Sequence, residues 1–164
     1  MDIQIRAISD SLSGHAEQIV EFLGRTDSEK RYFNLTLERV LKAETILVAY
    51  ADDALVGIGG IEVKYRLPRD FIMVDRRVQG KGLGRQFLDR ILDDAARMHS
   101  ILMAVIEEPN AASLKLHRTV GFRMGGKRGQ LNYLFFPIDA RGLVLYYIVR
   151  LIFPGIQLLD RFRR

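Results

Sequence analysis

The sequence predicts a mixed α/β fold, a mostly antiparallel sheet that contains one parallel βαβ unit. Three observations predict it. Residues 71–106 run as strand, glycine-rich turn, amphipathic helix and six consecutive apolar residues, which is the order of a βαβ unit. Two further pairs of strand-like runs, 46–50 with 55–65 and 131–136 with 143–149, are each joined by a short polar connection, as antiparallel neighbours are. The chain's 164 residues, 48% hydrophobic with four prolines, supply one core and fall short of two, so residues 1–164 are expected to form one domain.

Taken in order, Ile3, Ile5 and Ala7 alternate with polar neighbours and predict a short strand. Ala16, Ile19, Val20 and Leu23 repeat at helical spacing after Ser13, an N-cap residue type, and Gly24 stands where the helix is expected to end. Phe33, Leu37, Val40 and Leu41 predict a second amphipathic helix capped by Asp27 or Ser28. Ala51-Asp52-Asp53-Ala54 has the length and polarity of a hairpin connection, and Gly57, Gly59 and Gly60 in the next run predict a bulge or a close backbone approach. Arg66-Leu67-Pro68-Arg69-Asp70 is read as a turn into the strand at 71–74. Phe87, Leu88, Ile91, Leu92 and Ala95 make the apolar face of a long helix, with Asp93-Asp94 on its solvated face. Residues 101–106 suit a buried parallel strand, Asn110 caps a short helix that ends before Gly121, and residues 137–142 join the last two strand-like runs.

Composition excludes several chemistries. No cysteine means no disulfide framework, no thiolate zinc cluster and no cysteine-bound acyl intermediate. His15 and His99 have no Asp, Glu or Cys at ligand spacing, so no metal site is expected. Residues 1–6 lack the apolar core of a secretory signal. The apolar stretch at 142–153 is interrupted by Arg150 and is shorter than the roughly 20 residues a spanning helix needs. A soluble, cytoplasmic protein is expected. The net charge of +5 favours an anionic partner, but it is unevenly spread: nine basic and twelve acidic residues in 1–70, eight and six in 71–122, eight and two in 123–164.

Arg76-Arg77-Val78-Gln79-Gly80-Lys81-Gly82-Leu83-Gly84-Arg85 is the most informative stretch. Alternate glycines let main-chain N–H groups approach a ligand, and the helix that starts there adds its unpaired donors and positive dipole end. Arg76, Arg77, Lys81 and Arg85 supply charge suited to phosphate oxygens. It is not a P-loop, because Gly80-Lys81 is followed by Gly82 and not by Ser or Thr. A dinucleotide fingerprint also fails, since the sixth place from Gly80 is Arg85 and from Gly82 is Phe87.

Gln79-Gly80-Lys81-Gly82-Leu83-Gly84 resembles the acyl-coenzyme A motif of the GNAT (Gcn5-related N-acetyltransferase) superfamily. Downstream, Ala104-Val105-Ile106, Pro109-Asn110, Ser113, Leu116-His117 and Gly121-Phe122 are similar to its phosphinothricin-acetyltransferase-type branch. The resemblance covers residues 71–122 and implies the family's mostly antiparallel sheet with helices on both faces. It implies acetyl-CoA held between the strands at 71–74 and 101–106, with direct attack of an acceptor amine on the thioester. Ile72 and Val74 would meet the acetyl and pantetheine groups, and amides from Gln79 through Gly80, Lys81, Gly82, Leu83 and Gly84 to Arg85 the pyrophosphate. Asn110 and Ser113 would lie near the pantetheine arm, and His117 would give the departing thiolate its proton. The usual glutamate base is missing from Pro68-Arg69-Asp70, which leaves Asp70, Glu62 or a water chain. Glu107-Glu108 would stand where a cationic amine enters or else form an exposed acidic pair.

Residues 154–164 put Ile156, Leu159 and Phe162 at helical spacing beside a basic end. They read either as an amphipathic anchor to an acidic membrane or, in preference, as a terminal helix packed on its own domain or on a second subunit of a homodimer. Tyr146 and Tyr147 lie in no aromatic-glycine module, so no nucleic acid is expected as a partner. The leading expectation is an acetyl-CoA-dependent N-acetyltransferase acting on a primary amine of a small molecule or protein. A non-catalytic acyl-CoA-binding module comes next, and a basic nucleic-acid or membrane-associated domain last.

Overall fold

The computed structural model describes residues 3–8, 14–26, 35–64 and 66–162, with side chains as far as residue 154. Among the described residues seven strands form a mostly antiparallel sheet with one parallel pair. The chain divides into two compact units, residues 1–64 with 70–94 and residues 65–69 with 95–164.

The first unit holds β1 (Ile3–Ala7), β2 (Thr45–Ala51), β3 (Ala54–Lys64) and the later part of β4 (Leu67–Val74), neighbours in that order. Asp52 and Asp53 join β2 to β3 at φ 47° and 65°. Both lie in the left-handed region, which Asp tolerates and which matches the twist of a two-residue hairpin. On one face of this sheet α1 (Ala16–Thr26) and α2 (Leu37–Leu41) bury Ile19, Phe22 and Val40 against Val48, Ile58 and Phe71. On the other lies α3 (Leu83–Met98), and the glycines of β3 make room for it. A Cβ on Gly57 would stand 2.7 Å from the Phe87 ring, and one on Gly59 2.9 Å from it. Phe87, Leu88, Ile91 and Ala95 are fully buried, so the predicted face of α3 is the packed one.

The second unit holds the start of β4, then β5 (Ile101–Glu107), β7 (Leu131–Pro137) and β6 (Arg123–Arg128), neighbours in that order. β4 and β5 run parallel, with Arg69 facing Met103. α4 (Ala111–Thr119) follows β5, and α5 (Ala140–Phe162) closes the chain. Asp139 caps α5, accepting from the Gly142 N–H at 2.8 Å and from the Ser100 hydroxyl at 2.8 Å. These bonds lower its pKa, with the Gly142 amide the largest cause.

Five expectations are corrected. Residues 143–149 are helix, because an uninterrupted apolar run has no period that separates strand from helix, and the Asp139 cap decides it. The antiparallel neighbours of β7 are β5 and β6, and the Arg-Met-Gly-Gly-Lys-Arg sequence of β6 carries no strand signal. Its glycines answer to packing: a Cβ on Gly125 would strike the Phe135 ring, and one on Gly126 the Phe153 ring. Gly24 lies inside α1, which runs on to Thr26 and buries Phe22 while Val20 is exposed. Residues 68–70 belong to β4, and the chain turns before it at Arg66, φ 64°. The second helix starts at Leu37, with the Thr36 hydroxyl accepting from the Arg39 N–H. The predicted caps Ser13, Asp27 and Ser28 lie outside the described residues, as does Phe33.

Candidate active site

In the first unit, β4 ends at Val74 and the chain enters a single 3₁₀ turn, Arg76–Val78, capped by Asp75. Asp75 is 5% exposed, and its carboxylate accepts from the Arg77 main-chain N–H at 2.9 Å and from the Arg77 guanidinium at 3.0 and 2.7 Å. Arg25 adds an ion pair at 3.3 Å. The Arg77 hydrogen bond, chiefly, holds the Asp75 pKa down to about 2. The Asp75 N–H donates to Val56 of β3 at 2.9 Å, so both main chain and side chain fix where the turn begins. Gln79 donates from its side-chain amide to the Val74 carbonyl at 3.0 Å, tying the end of the turn to its start.

Beyond Gln79 the backbone passes through the left-handed region twice, at Gly80 (φ 77°) and Gly82 (φ 81°), with open space where each Cβ would point. The Gly82 carbonyl takes the N–H groups of Arg85 and Gln86 at 3.0 and 3.1 Å, starting α3. The N–H groups of Leu83 and Gly84 come too early to find an acceptor in the helix. Leu83 is buried and anchors this first turn. Main-chain donors at a helix head, reached by a bare glycine backbone, form an anion cradle. The basic side chains contribute less than their number suggests: Arg77 is paired with Asp75, and Arg85 donates to both oxygens of Asp89 at 2.8 and 2.9 Å. Lys81 stays exposed. A cavity of about 100 Å³ beside the turn is lined by Arg25, Thr26, Asp75 and Arg76.

Ile72 and Val74 are half-buried on β4, and Asp70, 5% exposed, precedes them. Glu62, the other carboxylate considered as a base, is buried on β3 and held by both arms of Arg39 at 3.1 and 2.7 Å. That ion pair occupies both of its oxygens.

The second unit brings Asn110, Ser113 and His117 together. Asn110 caps α4, accepting from the Ser113 N–H at 3.1 Å. One turn on, His117 is 4% exposed, edge-on to Phe122 with ring centres 4.9 Å apart. Its Nδ1 lies 2.8 Å from the Ser113 carbonyl and 3.4 Å from the Ser113 hydroxyl. A carbonyl oxygen can only accept, so Nδ1 carries the hydrogen and Nε2 of the neutral ring is the proton-accepting nitrogen. Glu108 is exposed and paired with Lys127 at 2.7 Å, while Glu107 is half-buried at the end of β5. His15 hydrogen-bonds through Nδ1 to the Tyr50 hydroxyl at 2.8 Å. Among the described residues no three His, Asp or Glu side chains group as metal ligands.

Asp75 and Arg25 were not singled out from the sequence, where Arg77 was read as a charge for phosphate and not as the partner of Asp75. An aspartate between the end of a strand and a turn is an N-cap signal, and that was the clue available.

The pattern of the Acetyltransferase (GNAT) family matches residues 15–122, from the start of α1 through the glycine turn to the end of α4. The chain belongs to that family. This GNAT chain is 43% identical over 58 residues to an L-methionine sulfoximine/L-methionine sulfone acetyltransferase of Salmonella typhimurium, a stretch that is 35% of this chain and 34% of that protein. The aligned part thus spans about a third of that relative. Among solved structures, a GNAT-family acetyltransferase from Streptococcus pneumoniae superposes with a TM-score of 0.72 at 19% identity, over 84% of this chain and 100% of that one. The yncA protein of Salmonella typhimurium, solved with its cofactor acetyl-CoA, gives 0.70 at 22% identity, over 85% and 95%. At such identities the structures establish a shared fold.

Proposed function

We propose that this GNAT chain is an acetyl-CoA-dependent N-acetyltransferase that moves the acetyl group directly to a primary amine of a small molecule. The observation that carries the reading is the Gly80–Gly82 turn, whose two left-handed glycines expose main-chain donors at the head of α3. Such donors suit the pyrophosphate of coenzyme A, and they lie within the matched stretch 15–122. Acetyl-CoA supplies an activated thioester: the amine nitrogen bonds to its carbonyl carbon, the C–S bond breaks, and the thiolate leaves. The lack of cysteine in the whole chain agrees with transfer in one step.

In this reading the amides of Gly80 to Gly84 take the pyrophosphate, those of Gln79 and Arg85 being bonded to the Arg76 and Gly82 carbonyls, while Asp75 and the Gln79 side chain hold the turn in shape. The Val74 carbonyl is bound by Gln79, so β4 offers the cofactor arm the main chain of Ile72 and the N–H of Val74. Asn110 and Ser113 hold the head of α4 and aim His117. The tautomer set by Ser113 fits neutral His117 to accept the amine's proton at Nε2, directly or through water. In its imidazolium form the same nitrogen can return a proton to the thiolate. Glu62, locked to Arg39, is set aside as the base; Asp70, buried on β4 itself, stays as the carboxylate candidate.

The relative's acceptor gives the first amine to try. Purified chain with acetyl-CoA and a panel of amines, methionine sulfoximine included, is expected to release free thiol and form the N-acetyl product. His117→Ala is expected to lower kcat by about 100-fold or more, the usual range for a lost acid-base group. Tight acetyl-CoA binding with no turnover on any amine would instead make the chain a binding module.

A further inference from the structure

Over residues 140–154 α5 is apolar nearly all the way round, yet only one edge of this stretch is packed. Gly142, Tyr146, Val149 and Phe153, spaced i, i+4, i+7, i+11, face the second unit. A Cβ on Gly142 would collide with the Ser100 carbonyl, the Tyr146 hydroxyl donates to the Met124 carbonyl at 3.0 Å, and Phe153 meets Tyr133 with ring centres 5.1 Å apart. Across the opposite arc Val144 is 59% exposed, Tyr147 52%, Ile148 45%, Leu151 81% and Ile152 55%. At 3.6 residues per turn these five cover about 140° of the helix. Leu143 and Leu145 of α5 are exposed beside the arc, whereas outside α5 the large exposed apolar residues among the described residues are Val20, Leu41, Val63 and Met98, one to an element. Single apolar residues need no explanation, whereas a contiguous arc of this width marks a surface that something covers.

Charge identifies the occupant. From 140 to 154 the helix carries Arg141 and Arg150 and no acidic residue, and residues 123–164 hold eight basic against two acidic side chains. A second copy docked on this arc would bring two such basic segments together. A lipid surface offers the arc an apolar layer and offers the arginines acidic headgroups. No described helix is long and apolar enough to cross a membrane, and the packed edge holds α5 along the second unit, so the helix would lie in the plane of the interface. Tyr147, apolar with a polar tip, is the side chain type that settles at headgroup level.

We propose that α5 docks this protein on a membrane surface rich in anionic lipid, its exposed arc entering the headgroup layer and Arg141 and Arg150 meeting lipid phosphates. The proposal is independent of the acetyl-transfer reading.

The test is flotation of the whole chain with phosphatidylcholine vesicles, with or without phosphatidylglycerol, at low and high salt. Binding is expected to be at least about tenfold stronger on the anionic vesicles and to fall as salt screens the headgroups. Leu151→Glu is expected to cut binding about tenfold, and Arg150→Glu about fivefold or more. Neither substitution should change the thermal midpoint or acetyl-CoA binding. A chain that stays in solution with both vesicle types would overturn the proposal, as would equal, salt-independent binding to both. Elution as a dimer that Leu151→Glu splits would give the arc to a second copy.

Discussion

The turn at residues 75–84 and the helix at residues 140–154 meet their surroundings in opposite ways. The turn is built by removing side chains: Gly80 and Gly82 leave bare backbone, and the charges beside it, Asp75 with Arg77 and Arg85 with Asp89, are satisfied by each other. The helix is built by adding them, and its apolar side chains outnumber what one packing edge can bury. An anion is bound by a shape that few sequences can form. A lipid surface is met by a composition that many can.

Substitutions should therefore cost much at the turn and little on the exposed arc. Gly82→Val forces a branched side chain into φ 81°. It is expected to weaken acetyl-CoA binding by about 100-fold, measured by calorimetry, from strain and lost main-chain donors. Asp75→Asn leaves Arg77 and Arg25 without their buried carboxylate, and denaturant unfolding is expected to show a loss of about 2–3 kcal/mol.

The same carboxylate predicts a pH dependence. Its pKa is lowered in the folded chain to about 2. The unfolded value lies near about 4, so Asp75 contributes its stability above that pH and loses it as pH falls toward the folded value. Stability should drop by up to about 2 kcal/mol across this window, and Asp75→Asn should flatten that part of the curve.

On α5 the costs shrink. Tyr146→Phe removes the hydroxyl bonded to the Met124 carbonyl and is expected to cost about 1 kcal/mol. Leu151→Glu, at 81% exposure, should leave folding stability within about 0.5 kcal/mol, which calorimetric melting can check. A large loss there would mean that the arc is packed within the fold.

The same contrast decides what could be read from the sequence. The glycine turn ahead of α3 was legible because its geometry demands glycine, and glycine at alternate positions ahead of an amphipathic helix is a rare pattern. Asn110 was legible as a cap and proved to be one. The long helix α3 and the hairpin at Asp52-Asp53 were legible by period and turn chemistry. Residues 143–149 were not, since Leu-Val-Leu-Tyr-Tyr-Ile-Val satisfies both periods, and the deciding bond comes from Asp139 outside the run. β6 was hidden for the opposite reason: its glycines exist to receive Phe135 and Phe153, contacts visible only in three dimensions. The Arg39 to Glu62 and Arg25 to Asp75 pairs join residues 23 and 50 positions apart, beyond any local pattern.

Acetyl-CoA turnover, followed as free thiol release with a panel of primary amines, tests the central claim most directly when wild type is run beside Gly82→Val. The account predicts product with at least one amine and a loss of about two orders of magnitude in kcat/KM for the variant, with the fold retained by circular dichroism. Equal turnover by both proteins, or acetyl-CoA binding that ignores the substitution, would contradict it.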